Sequence, residues 1–234
     1  MEEYLKILAA VAPAVVLGVN LVGKDKRSEP LMWLLAAVGL GMLVVPAVIL
    51  FGSLFLPEMP ADSYMGAVYK SFIEAAIPEE GFKFLALYLL ATKCRHFDEL
   101  FDGLVYAVCI GMGFAGIENI MYLVGAGDQW LTVGITRALL SVPAHYAFAV
   151  IMGTFFALGW FDSRNRYFYL TAALIIPVIV HGLYDTFCFS MDIDEDVAAI
   201  IVIAFIVAYR YIRRYVKSLV TSMIKLDDYR NYGK

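Results

Sequence analysis

Apolar runs that approach or exceed twenty residues recur along this chain, and they leave it few folds to adopt. About 20 such residues in a helix cross the ~30 Å hydrocarbon core of a bilayer. Seven runs of this kind, punctuated by polar residues, Pro or Gly, lie at about 4–23, 31–56, 65–92, 100–124, 131–160, 167–190 and 196–216. The expected fold class is therefore an all-α polytopic membrane protein, a bundle of about seven transmembrane helices (six to eight). It forms a single integral membrane domain over 1–234, with its core between about 65 and 190. Hydrophobic residues make up 62% of the chain and charged residues 17%, a balance that a single soluble core does not need. The first run follows Glu2 and Glu3 and has no small-residue cleavage site, so it reads as a retained span rather than a signal peptide.

Loop charges assign an orientation. Lys24, Lys26 and Arg27 mark the first loop, Lys93 and Arg95 the third, Arg164 and Arg166 the fifth, and Arg210, Arg213, Arg214 and Lys217 the end of the last span. The second, fourth and sixth loops carry neither lysine nor arginine. By the positive-inside rule the protein is a multi-pass protein of the cell membrane with its N-terminus outside and its C-terminus in the cytoplasm. The segment Lys225 to Lys234 reads as a short polar tail. A net charge of −4 with no basic stripe excludes nucleic acid as an expected partner. Cys94, Cys109 and Cys188 are too few and too scattered for a disulfide framework or a metal cluster and read as packing residues.

Against this apolar background the ionisable residues carry the argument, because charged groups are costly in a bilayer and by default mark function. Counted from the cytoplasmic helix ends, Glu79, Glu80, Glu118, His145 and His181 each lie on the order of 20–25 Å deep at 1.5 Å per residue. Four helices of alternating direction thus bring them to one level, in the outer half of the membrane. Lys70 and Glu74 make the outer end of the third span wet or interfacial, a route for water.

Spacing refines the set. Lys83 follows Glu79 by four residues and Glu80 by three, so it can neutralise one carboxylate while the other works; the bland alternative is a buried ion pair that only holds helices together. Gly103, Ala107, Gly111 and Ala115 form a small-residue stripe that presses a neighbouring helix close and carries Glu118 and Asn119 into the bundle. The alternative for Glu118 is an interfacial position near the headgroups. Arg137, Ser141 and His145 give the fifth span a polar face, with Pro143 a source of a kink. His181 and Asp185, four apart, put a carboxylate where it can orient an imidazole. A lone histidine in an apolar helix is usually a hydrogen-bonded core residue; two at matched depth opposite glutamates favour function. His96, in a basic loop, reads as solvated.

The segments Glu79-Glu80-x-x-Lys83, Asp102-Gly-x-x-Tyr106 through Phe114-Ala115-x-x-Glu118-Asn119, His145 with Gly153 eight residues later, and His181-Gly-x-Tyr184-Asp185 resemble the motifs of the PrsW family of intramembrane proteases. That family is related to the type II CAAX prenyl endopeptidases and Abi proteins, whose first motif ends in arginine one position later and whose second carries histidine where this chain has Glu118. Both departures follow the PrsW version. The resemblance covers about 75–190. It implies a hydrolase that cuts a membrane-anchored protein, of the anti-sigma-factor kind, on the outer side.

Other designs lack their signatures: there is no His-Glu-x-x-His helix and no Gly-x-Ser-x-Gly elbow. Gly125-Ala126-Gly127-Asp128 and Tyr184-Asp185 imitate presenilin-type signatures, but in reversed order and with Asp128 in a loop. Two mechanisms stay open. In one, Glu79 or Glu80 is a general base on water, His145 assists, and His181 with Asp185 stabilises the oxyanion, without a metal. In the other, His145, His181 and one glutamate bind a zinc-type ion and the remaining glutamate is the base. The metal-free route is slightly favoured, since both histidines have work without an ion. Lys83, Asn119 and Arg137 are supporting residues in either. A non-catalytic membrane scaffold and a proton- or ion-coupled transporter are the alternatives from other classes; inverted repeats or paired broken helices, which would favour a transporter, are not evident.

Overall fold

Helices joined by short loops account for the chain in the order α1 (Glu2–Val22), α2 (Leu31–Phe55), α3 (Tyr64–Tyr69), a π-helical segment (Lys70–Ala76), α4 (Ile77–Lys93), α5 (Leu100–Gly125), a 3₁₀ turn (Gly127–Gln129), α6 (Trp130–Leu139), α7 (Ser141–Phe161), α8 (Arg166–Ser190) and α9 (Glu195–Tyr232). The computed structural model describes residues 2–57, 59, 60, 62–191, 193 and 195–232, with backbone alone for 195–202, 204, 205, 231 and 232. Asp192 and Asp194 of the sixth loop, and Gly233 and Lys234 of the tail, lie outside the described residues. Among the described residues there is no strand. Five stretches are long and apolar enough to cross a membrane: α1, α2, α5, the run Gly127–Phe161 and α8. The third and seventh expected spans fall on the α3–α4 run and on α9.

The helix α5 is buried from Leu100 to Gly116 and packs against α1, α2 and α7. Its small-residue stripe sets the approach to α7: a Cβ added at Gly103 would lie 2.6 Å from Ala157 Cβ, and one added at Gly153 would lie 2.4 Å from Gly103 O. Gly111 faces Ala149 in the same register. Its other face meets α2, where a Cβ at Gly113 would lie 2.2 Å from Val38 O and one at Gly41 2.0 Å from Ile110 O. Backbones this close exchange dispersion contacts that larger side chains would forbid. Large apolar side chains of α1 and α2, among them Leu8, Val16, Met32, Leu35 and Leu43, point outward and are exposed, as lipid-facing residues are.

Three expectations from helix periodicity need correction. The fifth expected span, 131–160, is two helices that meet at Leu140, whose φ of −118° is not helical. Pro143 explains the break, because it has no N–H for the Leu139 carbonyl four residues back; Tyr209 Oη donates to that oxygen instead (3.2 Å). The third span contains the π-helical segment, closed by Ile77 N on Phe72 O. Pro78 follows immediately and cannot donate to Glu74, which favours the wider turn. The last helix does not end near 216 with a polar tail after it but continues to Tyr232, and its 38 residues span about 57 Å. Val216, Val220 and Met223 bury its later half against Leu21, Leu100 and Phe101.

One end of the bundle gathers the basic loops. Lys26 pairs with Asp228 (2.6 Å), Arg230 lies over the Phe161 ring (4.7 Å), and Phe97 stacks on Phe161 (5.8 Å). Asp227 caps α5 by accepting from Leu100 N at 2.9 Å. The glutamates and membrane histidines lie toward the opposite end.

Candidate active site

Four elements supply the polar centre of the bundle. The first turn of α4 presents Glu79 and Glu80, α5 presents Glu118, α7 presents His145 and α8 presents His181 and Asp185. Close approach of α8 to the π-helical segment is what admits His181: a Cβ at its neighbour Gly182 would lie 2.4 Å from the Phe72 ring. Antiparallel packing of α5 on α7 in the glycine register brings Glu118 within reach of His145, whose side chain leans toward the start of its own helix.

Lys83 Nζ donates to Glu80 Oε1 (2.8 Å) and Glu79 Oε2 (3.2 Å), so it reaches both carboxylates. His181 stands between carboxylates, with Nδ1 2.9 Å from Glu80 Oε1 and Nε2 3.2 Å from Asp185 Oδ2 and 3.9 Å from Glu79 Oε2. His145 Nε2 lies 3.0 Å from Glu118 Oε2. Arg137 donates to the same glutamate and, through Nε, to Asn119 Oδ1 (2.6 Å), while Asn119 Nδ2 donates to Ala10 O of α1 (3.1 Å). The two imidazole rings are 5.4 Å apart, centre to centre. Thus Glu79, Glu80, Lys83, Glu118, Asn119, Arg137, His145, His181 and Asp185 all enter one connected polar cluster.

Burial grades the two adjacent glutamates. The Glu79 side chain keeps 9% of its exposure and Glu80 only 1%. Glu80 Oε2 and His145 Nδ1 are buried with no hydrogen-bond partner, an arrangement that costs free energy unless something else engages those atoms. One donor atom from each of Glu79, Glu80, His145 and His181 falls within 4.8 Å of all the others. The cluster holds four carboxylates (Glu79, Glu80, Glu118, Asp185) against two permanent cations (Lys83, Arg137). Imidazole and carboxylate donors, two orphaned donor atoms and an excess of negative charge all suit a divalent ion of the zinc class.

Phe148 left no mark in the sequence reading, and Phe114 and Tyr184 entered it only as motif letters without a role. Phe148 stacks on His181 (4.7 Å between ring centres) and meets His145 edge-on (5.8 Å), while Phe114 places its ring 3.7 Å from Lys83 Nζ. Aromatic residues in an apolar helix look alike until a partner helix is known. Tyr184 Oη lies 3.5 Å from Ser141 Oγ. Phe148 and Tyr184 also line a cavity of about 720 Å³ between α1, α7, α8 and α9, whose wall includes Pro143, Ala147 and Leu183. His96 is exposed, Cys94 and Cys109 are buried, and Cys188 is half-buried. Asp128 lies in the 3₁₀ turn between α5 and α6.

Comparison with known proteins places the chain in a family. The model of a family described as PrsW family intramembrane metalloprotease matches residues 29–211. A protease PrsW of Clostridioides difficile is 32% identical over 97% of this chain and 92% of its own length. Those of Geobacillus kaustophilus (36% identical) and Bacillus subtilis (33% identical) each align over 76% of this chain, covering 77% and 80% of their own lengths. No solved structure matches. A family match over most of the sequence, together with a relative aligned nearly end to end, means that this chain belongs to the PrsW family and is an intramembrane protease.

Proposed function

We propose that the chain hydrolyses a peptide bond of a membrane-anchored protein with a water activated by Glu79, at a centre where Glu80, His145 and His181 hold a zinc-type ion. The observation that carries this reading is the convergence of those four side chains, from three helices, within 4.8 Å. A bound ion would supply Lewis acidity to the scissile carbonyl and to water. Glu79 suits the general base because it is the less enclosed of the two glutamates and Lys83 holds it from one side only. It takes a proton from water as oxygen attacks the carbonyl carbon, and returns that proton to the nitrogen as the C–N bond breaks. Glu80 is fixed by Lys83 and His181. Asp185 and Glu118 orient His181 and His145, the role that carboxylates play beside ligating imidazoles.

The loop charges support an orientation with the N-terminus outside, the C-terminus in the cytoplasm and the centre in the outer half of the bilayer. A single-pass substrate of the anti-sigma-factor type, cut near its outer boundary, fits that placement. Its transmembrane segment would lie along the 720 Å³ cavity, beside Phe148 and Tyr184.

Purified protein in lipid, mixed with such a substrate, tests the proposal. Cleavage near the outer boundary, abolished by a strong chelator and restored by zinc, is the expected result. Cleavage unaffected by chelation, with well under one metal per chain, would establish the metal-free route instead. Ion flux without cleavage would make the protein a transporter.

A further inference from the structure

Asp102 and Tyr106, part of the motif that opens α5, do not reach the active centre. Asp102 precedes Glu118 by four and a half helical turns, about 24 Å along the axis. What they meet is the loop between α1 and α2. Tyr106 Oη donates to Glu29 Oε2, and one carboxylate oxygen from each of Asp25, Glu29 and Asp102 falls within 4.8 Å of the others. We propose that these three carboxylates form a second cation site, built for a hard divalent ion of the magnesium or calcium class, that ties the α1–α2 loop to the start of α5.

Acidic residues cluster on many proteins without a ligand; the difference here is buried, unengaged oxygen. Asp102 is completely buried (0% exposed). Its Oδ2 accepts from the backbone N–H of Asp98 (2.9 Å) and Glu99 (2.7 Å), while Oδ1 accepts from no N–H or hydroxyl and the Glu29 carboxyl lies close enough to share a proton or a cation with this group. Asp25 repeats the pattern: Oδ1 accepts from Arg27 N (3.0 Å), and Oδ2 is buried without a partner. Backbone amides have thus oriented two carboxylates while one oxygen of each stays unsatisfied, an expensive arrangement unless a cation engages them.

Charge points the same way. Arg27 pairs with Glu99 and Lys26 with Asp228, so each of these cations is shared with a carboxylate outside the trio, and the side chains of Arg27 and His96 act on Asp25 and Glu29 only through space. The donors are all oxygen, with no imidazole or thiolate, which selects magnesium or calcium over zinc. The two centres therefore differ in ligand chemistry as well as position, and this inference stands on observations independent of the proteolytic reading.

The test uses the full chain in detergent, titrated with Mn²⁺ followed by electron paramagnetic resonance, and with Mg²⁺ or Ca²⁺ followed by thermal unfolding. With zinc supplied to the active centre, wild type should bind one Mn²⁺ that Mg²⁺ or Ca²⁺ displaces, and should gain thermal stability from either ion. His181→Ala, which damages the active centre, should keep this binding. Asp25→Asn and Asp102→Asn should each weaken it at least about tenfold, within the range over which ligand charge tunes such sites. Asp102→Asn keeps one oxygen for Asp98 N and Glu99 N but buries an amide NH₂ in place of Oδ1, which can impair folding; Asp25→Asn, in the less buried loop, then carries the test. No saturable binding up to about 10 mM, beyond the weakest class of such sites, would overturn the proposal and leave protons to balance the acids. Binding lost in His181→Ala, or retained in both aspartate variants, would overturn it equally.

Discussion

His181 and Glu80, separated by 101 residues in the chain, meet with Nδ1 2.9 Å from Oε1 inside the bundle. The contact fixes the imidazole from one side while Asp185 fixes it from the other, and it leaves Glu79 as the glutamate with the looser environment. Two neighbouring residues of one helix therefore sit in different surroundings, and their substitutions should separate.

Glu79→Gln should lower cleavage by at least about 100-fold, within the range that general acid–base groups contribute, while bound zinc stays near one per chain. Glu80→Gln should lose activity and metal together. Elemental analysis beside a cleavage assay reads both. Metal lost equally from the two variants would assign both glutamates to the ion and leave the base to another group.

Glu118 touches His145 and Arg137, and the cluster reaches α1 through Asn119. As a positioning residue, it should act on metal affinity through His145. Glu118→Gln should weaken zinc binding by about 10- to 100-fold, the usual cost of removing a partner of a ligating histidine. Competition with a chelator measures this directly, and unchanged affinity would reduce Glu118 to a structural ion pair.

The cavity beside Phe148 offers a separate handle. Leu183 is on its wall and is itself exposed, so Leu183→Trp fills space without disturbing the buried core. Cleavage of a single-pass substrate in lipid should fall about tenfold, the equivalent of roughly 1.4 kcal/mol of docking energy. Cleavage of a short detergent-soluble peptide should be unaffected. Equal losses on both substrates would mean that the substitution reached the centre itself.

What the sequence displayed and what it hid follow from how helices are encoded. Apolar run length located the helices, and charges within those runs singled out Glu79, Glu80, Glu118, His145 and His181, because such groups are rare in hydrocarbon. The glycine stripe of α5 foretold a close neighbour, but nothing in it named α7. Local spacing reports which residues share a face, not which faces meet. Hence the Phe148 stack on His181, the Asp227 cap on α5 and the Tyr106 contact with Glu29 stayed invisible. Pro143 signalled disturbance and Pro78 was not read as one, yet whether proline kinks, breaks or widens a helix depends on what else can satisfy the freed carbonyl. For Leu139 that partner is Tyr209, 70 residues away.

Glycine contacts between α5 and α7 set the register that aligns Glu118 with His145, and this can be tested without touching a polar residue. Gly153→Ala would put a Cβ 2.4 Å from Gly103 O, so the helices must part. Stability should drop by roughly 1–3 kcal/mol, as overpacking does, and activity should fall further than stability explains. Gly116→Ala is the control, because nothing lies within 4 Å of the added carbon; it should be neutral or slightly stabilising, since alanine is the better helix former. Equal behaviour of the two variants would show that the close approach does not control the site.

Orientation closes the set of tests, since it decides which face of the membrane the substrate is cut from. Single cysteines introduced near Lys24, His96 and Arg164, in a background with Cys94, Cys109 and Cys188 replaced, should react with an impermeant maleimide only from the cytoplasmic side. Those near Asp62 and Asp128 should react only from outside. The first group lies in the loops that carry Lys24, Lys26, Arg27, Lys93, Arg95, Arg164 and Arg166, for which the positive-inside rule predicts the cytoplasmic side. The active centre lies about 24 Å beyond them along α5, by the rise from Asp102 to Glu118. The inverse labelling pattern would move that centre to the inner half of the bilayer. The expected cut would then lie near the inner boundary of the substrate, and the carboxylate site at Asp25, Glu29 and Asp102 would face the exterior.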